Sequence, residues 1–191
     1  MWGDWGHVLR PALLALFAAA VAIRLLVRVR RLRGVPHARA WRHSVAEVGM
    51  VVGTLPWIWM ILTPVPGDGG LSLVPFRDLA AQLSGPVPAA VVQVGGNLLV
   101  LAALGFFLPV RFRLVPGSDG RAVPGPRTGA VLARVAVVLL GVAVTVEVLQ
   151  YVLGLGRVAS VDDVLVNVVG GLLAALCSRR WWADRAPTGR R

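Results

Sequence analysis

Apolar residues run through this chain in five long blocks, Leu9 to Val27, Val45 to Leu62, Val87 to Val110, Val131 to Leu153 and Val161 to Cys177, with most polar residues gathered between them. A run of about 18 or more apolar residues spans a hydrocarbon layer of roughly 30 Å as a helix, which satisfies its own backbone hydrogen bonds. The pattern predicts an all-α integral membrane bundle of about five transmembrane helices. The last block is the shortest and suits a helix with little tilt. Pro56 interrupts the second block, where Trp57 and Trp59 stand at the level expected of an aromatic belt. Proline- and glycine-rich stretches from Thr63 to Gly70 and from Val115 to Gly129 read as loops.

The chain has 191 residues, 57% hydrophobic and 15% charged, a balance that calls for a bilayer as solvent. Its net charge of +11 lies in short arginine runs between apolar blocks and has no recognition motif beside it, so nucleic-acid binding is not expected. Six arginines fall between Arg28 and Arg42, four between Arg111 and Arg127 and five from Arg179 onward, whereas the alternate loops carry only Arg77 and Arg157. The positive-inside bias places those three basic segments in the cytoplasm and the amino terminus outside. The first block also has the features of a signal peptide, with Ala18, Ala19 and Ala20 at its centre. The arginine run that follows resists translocation and little positive charge precedes the block, so an uncleaved helix is the preferred reading. The chain divides into an amino-terminal helix with its basic loop (1–44), a transmembrane domain (45–178) and a basic tail (179–191), in a multi-pass cell-membrane protein.

Several polar residues stand where lipid is costly. Glu147 and Gln150 lie three residues apart inside the fourth block and share a helical face. Asp162 and Asp163 open the fifth, and Asn167 follows Asp163 by one turn on the same face. Acids at a helix start ordinarily complement the dipole and cap free amides, but Asn167 carries the polar stripe inward. Gly170 and Gly171 allow another helix to approach closely, and Gly95, Gly96 and Asn97 combine close approach with a buried amide in the third block. At about 1.5 Å per residue, Glu147 lies about 10 Å and Asn167 about 9 Å below the outer ends of their helices. Arg157, in the short loop between these helices, is placed to meet a carboxylate or an anionic ligand, and Arg77 is a second outward-facing candidate.

The series Glu147-x-x-Gln150, Arg157, Asp162-Asp163-x-x-x-Asn167-x-x-Gly170 resembles the VanZ-like family of small bacterial membrane proteins in spacing and residue type. Val74-Pro75-Phe76-Arg77 looks like the family's loop segment, and Asn97 with Gly105 and Pro109 fits its asparagine-led helix. Ala103 replaces a proline common in the family, Ser72 an asparagine, and Ser160 an acid. The resemblance covers about Val45 to Cys177. It implies a role in the cell envelope and a connection with teicoplanin resistance, without supplying a mechanism.

The leading expectation is a module that binds or modifies an anionic, lipid-linked envelope component at the outer leaflet. Arg77 and Arg157 would hold the anion, and Asn97, Gln150, Asp162 and Asn167 would line the site. Glu147 and Asp163 are the candidate catalytic groups, as general bases, because burial favours the neutral carboxyl. No cofactor is expected, although oxygen ligands on Asp162, Asp163 and Glu147 would suit magnesium or calcium. No activated serine or cysteine nucleophile stands out, and His7, His37 and His43 lie outside the blocks. The competing classes are a scaffold whose polar residues only lock helices together, and an ion pathway, for which few polar groups continue below Asn97 and Asn167. Oligomeric state is not readable from the sequence. The sole cysteine, Cys177, tests the orientation: a membrane-impermeant thiol reagent should leave it unlabelled in intact cells and label it once the inner face is exposed, and labelling from outside would reverse the topology.

Overall fold

The protein was analysed as a computed structural model that describes residues 6–112 and 128–182; most of the loop expected from Val115 to Gly129 and the tail beyond Trp182 lie outside them. In chain order the elements are α1 (Gly6–Leu32), α2 (His37–Ile61), β1 (Gly70–Ser72), α3 (Arg77–Leu83), α4 (Val87–Val100), α5 (Ala102–Arg111), α6 (Thr128–Val152), β2 (Val158–Ser160), α7 (Val161–Cys177) and α8 (Arg179–Trp182). Four segments, Arg10–Leu32, His37–Ile61, Val87–Arg111 and Thr128–Val152, are helical, long and apolar enough to cross a membrane. The fifth expected span is α7, with the bounds read from the sequence and 17 residues long. It packs against α4, α5 and α6, so its short apolar length is matched to protein neighbours as much as to lipid. Large exposed side chains such as Leu13, Leu14, Leu16 and Phe17 on α1, and Val137, Val148 and Val152 on α6, form the apolar exterior such a bundle presents to acyl chains.

Three features differ from the reading of the sequence. The basic stretch from Arg28 to Arg42, expected as a loop, is mostly helix: α1 runs on to Leu32 and α2 starts at His37, leaving four residues between them. The third span is broken at Leu101, whose backbone (φ −106°, ψ 8°) ends α4 and precedes α5. There is no proline at the break, Ala103 standing two residues beyond it. Third, the close helix approach lies elsewhere than at Gly95 and Gly96, around which a Cβ would meet nothing within 4 Å.

Close packing instead centres on α7 and α5. A Cβ on Gly170 would overlap the Leu98 carbonyl, and one on Gly105 would overlap the Gly171 carbonyl, so α7 crosses both sides of the Leu101 break at backbone distance. Gly49 and Gly53 of α2, one turn apart, receive the Phe107 ring and the Ala103 methyl of α5 in the same way. Around these crossings Val100, Leu101, Val131, Val135, Leu139, Ala143 and Ala175 form the buried core.

The two ends of the bundle are chemically different. At one, Glu47 of α2 receives Arg30 from α1 and Arg111 from α5, Arg30 also donates to the Ser44 hydroxyl, and Arg42 donates to the Trp181 carbonyl at 2.5 Å. At the other, β1 and β2 pair in parallel with Gly70 opposite Val158 and Ser72 opposite Ser160, joining the loop after α2 to the loop after α6. The Val65 amide donates to the Leu155 carbonyl at 3.0 Å, and Gly156, at φ +71°, lets that carbonyl-lined turn approach Val65 so closely that no Cβ would fit.

The glycine geometry separates two kinds of position. Gly105→Val should lower the stability of the detergent-solubilised protein by about 1–3 kcal/mol or prevent folding, because backbone rather than a flexible side chain blocks the new atoms. Gly95→Ala, in open space on α4, should raise it by about 0.5–1 kcal/mol through helix propensity, and thermal unfolding of the two variants checks both.

Candidate functional site

The β1–β2 end encloses a cavity of about 300 Å³ beneath the paired loops. Its walls come from α3, α4, α6, β2 and α7, and its lining is dominated by carboxylates and amides: Asp78 and Gln82 from α3, Gln93 and Asn97 from α4, Glu147 and Gln150 from α6, Asp163 and Asn167 from α7. Arg157 and Ser160 complete it from the α6–α7 connection, with Ile61 at the end of α2. Helical spacing explains the convergence. Asp78 and Gln82, Gln93 and Asn97, and Asp163 and Asn167 are each one turn apart, and Glu147 and Gln150 nearly so, so every helix turns a two-residue polar face to the same space.

Within this set the side chains fall into two groups. The first holds the site together. Asp162 is 2% exposed and accepts from the Phe76 amide at 2.5 Å through Oδ1 and from the Leu79 amide at 2.9 Å through Oδ2. It thereby caps the start of α3, where Phe76 adopts a left-handed conformation (φ 65°). Gln150 donates to the Ile61 carbonyl at 2.8 Å, satisfying a carbonyl at the end of α2. Ser160 caps α7 by accepting from the Asp162 amide, and its hydroxyl donates to Asp78 Oδ2 at 2.6 Å. That bond holds the Asp78 carboxyl below its ordinary value.

The second group is incompletely engaged. Glu147, 9% exposed, accepts from the Ser160 amide at 2.9 Å, among the described residues through Oε2 alone. Asp163 accepts from Asn97 Nδ2 at 2.5 Å, among the described residues through Oδ1 alone. Asn167 is 3% exposed, and its Oδ1 has no hydrogen-bond partner among the described residues. Arg157 reaches the Met60 carbonyl only at 3.5 Å, and its buried Nε has no partner among them. A buried polar atom left unsatisfied costs about 1–3 kcal/mol, so two at one cavity mark places where a further donor and a further acceptor belong.

Of the residues singled out in the sequence, Asn97, Glu147, Gln150, Arg157, Asp163 and Asn167 meet at this cavity. Asp162 stands behind it, directed at the α3 backbone. Arg77 is exposed beside Asp78 and is not part of the lining. Asp78, Gln82 and Gln93 were overlooked, although all three form one-turn pairs, Asp78 with Gln82 and Gln93 with Asn97. Among the described residues no three His, Cys, Asp or Glu side chains converge in an arrangement that would hold a metal ion, and the cavity lining contains no histidine or cysteine.

The fold and this cavity define a small multi-pass helical membrane protein with a polar chamber near one end of its bundle. The chain belongs to the VanZ/LLP1 family, whose model matches residues 50–182 and so spans α7, α6 and every loop that builds the chamber. No curated protein and no solved structure matches it.

Replacing residues from the two groups should have opposite effects on stability. Asp162→Ala strands the Phe76 and Leu79 amides and should cost about 1–3 kcal/mol for each. Asn167→Leu removes an acceptor that has no partner among the described residues, and the thermal midpoint in detergent should stay level or rise, as expected where a side chain is kept for function at the expense of stability.

Proposed function

We propose that the chamber binds the polar portion of an anionic, lipid-linked envelope component at the outer leaflet. The observation that carries this reading is the pair of unsatisfied buried atoms, Asn167 Oδ1 and Arg157 Nε, in one cavity with the half-engaged carboxylates Glu147 and Asp163. Acceptor-rich walls of this kind suit a ligand that donates hydrogen bonds, such as the hydroxyls of a sugar. A carboxylate-rich interior is unfavourable for a phosphate, so the anionic part of the ligand sits at the rim, on Arg157, with exposed Arg77 near by. The lipid part remains in the bilayer beside the exposed apolar side chains of α4 and α6. The outer-leaflet position follows from the arginine distribution: Arg28 to Arg42 and Arg111 lie at the opposite end of the bundle, which the positive-inside bias assigns to the cytoplasm.

Glu147 or Asp163, if the bound component is also modified, is the group placed to take a proton from a ligand hydroxyl. The competing reading, a structural polar clamp, is favoured most by the bonds of Asp162, Gln150 and Ser160, which are committed to backbone or to another side chain, whereas Glu147 and Asp163 each use one carboxylate oxygen in this way among the described residues. Family membership supports a connection with glycopeptide resistance, which we extend to this chain as part of the proposal.

The test is teicoplanin and vancomycin susceptibility in a sensitive host expressing the wild type, Glu147→Gln or Asn167→Leu at matched membrane abundance. Protection by the wild type that both variants lose, at unchanged folded yield, is the expected result. No protection by any of them removes the resistance connection, and a loss of folded yield that accounts for the loss of protection favours the clamp.

A further inference from the structure

A second recess lies at the basic end, remote from the chamber and formed by the α1–α2 hairpin. It has a volume of about 630 Å³ and is bounded by Arg24, Arg28 and Arg31 of α1 and by His37 and Trp41 of α2, over the buried Val27. The three arginines follow one another at four and three residues, so they occupy one face of α1. Arg30, on the other side of that helix, pairs with Glu47, the one acid at this end among the described residues. That pairing leaves Arg24, Arg28 and Arg31 with no acidic partner among the described residues, in a concave setting rather than on a convex solvated face. Trp41 donates its indole N–H to His37 Nε2 at 2.9 Å with the rings edge to face, which fixes the wall opposite the arginines.

The surroundings specify what fills such a recess. Arg24 belongs to the apolar span itself, and Leu25, Val29 and Leu32 beside the arginines are exposed. A soluble anion would leave those side chains and the Trp41 ring without an apolar partner. An anionic lipid satisfies both parts: guanidinium forks take the phosphate, the indole sits at headgroup level, and acyl chains run along the apolar surface of α1. We propose that Arg24, Arg28, Arg31 and Trp41 form a binding site for the phosphate-bearing headgroup of an anionic phospholipid. It lies at the opposite end of the bundle from the chamber and does not depend on what the chamber binds.

The experiment must separate a built site from the general field of a basic surface. Purified full-length protein in neutral detergent is titrated with phosphatidylglycerol or with phosphatidylcholine of the same chain length, and bound lipid is counted by native mass spectrometry. Two charge-matched variants are compared, Arg28→Gln with Arg31→Gln inside the recess, and Arg33→Gln with Arg39→Gln outside it. The wild type should prefer phosphatidylglycerol by about tenfold or more, the outer pair should keep that preference, and the inner pair should lose most of it. Arg24→Gln alone should weaken it to an intermediate degree. Excess inorganic phosphate should leave phosphatidylglycerol bound. Equal loss in the two double variants, absence of a preference in the wild type, or displacement by phosphate would each overturn the proposal.

Discussion

The carboxylate of Asp162 is the interaction on which the rest of the polar end depends. Non-helical backbone near the apolar layer must find its hydrogen bonds inside the protein. By accepting from Phe76 and Leu79, Asp162 lets the chain turn into α3 at a left-handed residue. The α3 thus positioned brings Asp78 to Ser160, Ser160 caps α7 and presents its amide to Glu147, and the β1–β2 pairing closes the roof. One buried acid therefore organises a chamber whose remaining acids are free to face its interior.

The helical part of this architecture was legible because membrane spans announce themselves by unbroken apolarity, and α7 coincides with its expected bounds. The heart of the chamber was legible for the complementary reason: Glu147, Gln150 and Asn167 are polar residues in apolar spans, and each needs a protein-lined environment. Asp78, Gln82 and Gln93 gave no such contrast. The first two sit in a segment that reads as loop, and Gln93 looks like one polar residue near a span end. Three-residue strands carry too little alternation to be seen, and a break at Leu101 with no proline or glycine leaves no trace in the pattern. Arg77 was placed at the site by residue type, whereas the direction of its side chain is set by a short helix that the sequence did not reveal. The same holds for the glycines: Gly95 and Gly96 look like Gly170 and Gly171, and only the helix arrangement distinguishes those that touch backbone from those in open space.

The opposite end is built on different physics. There Glu47 draws Arg30 and Arg111 from two other helices, gathering the ends of α1, α2 and α5. The polar end of the bundle has several acids around a single cavity arginine, and the basic end has one described acid among many arginines. The charge asymmetry therefore runs along the bundle axis.

The Asp162 bonds join residues 86 and 83 positions apart, so the segment that shapes α3 is made long before the acid that holds it. Glu147 and Gln150 come to the chamber on α6, whereas Asp162, Asp163 and Asn167 come only with α7. The chamber is therefore complete only when α7 is in place. Without α7 between α4, α5 and α6, the Glu147 carboxyl would stand in an unfinished interior, so the seating of that one helix decides whether a buried acid has a protein-lined environment.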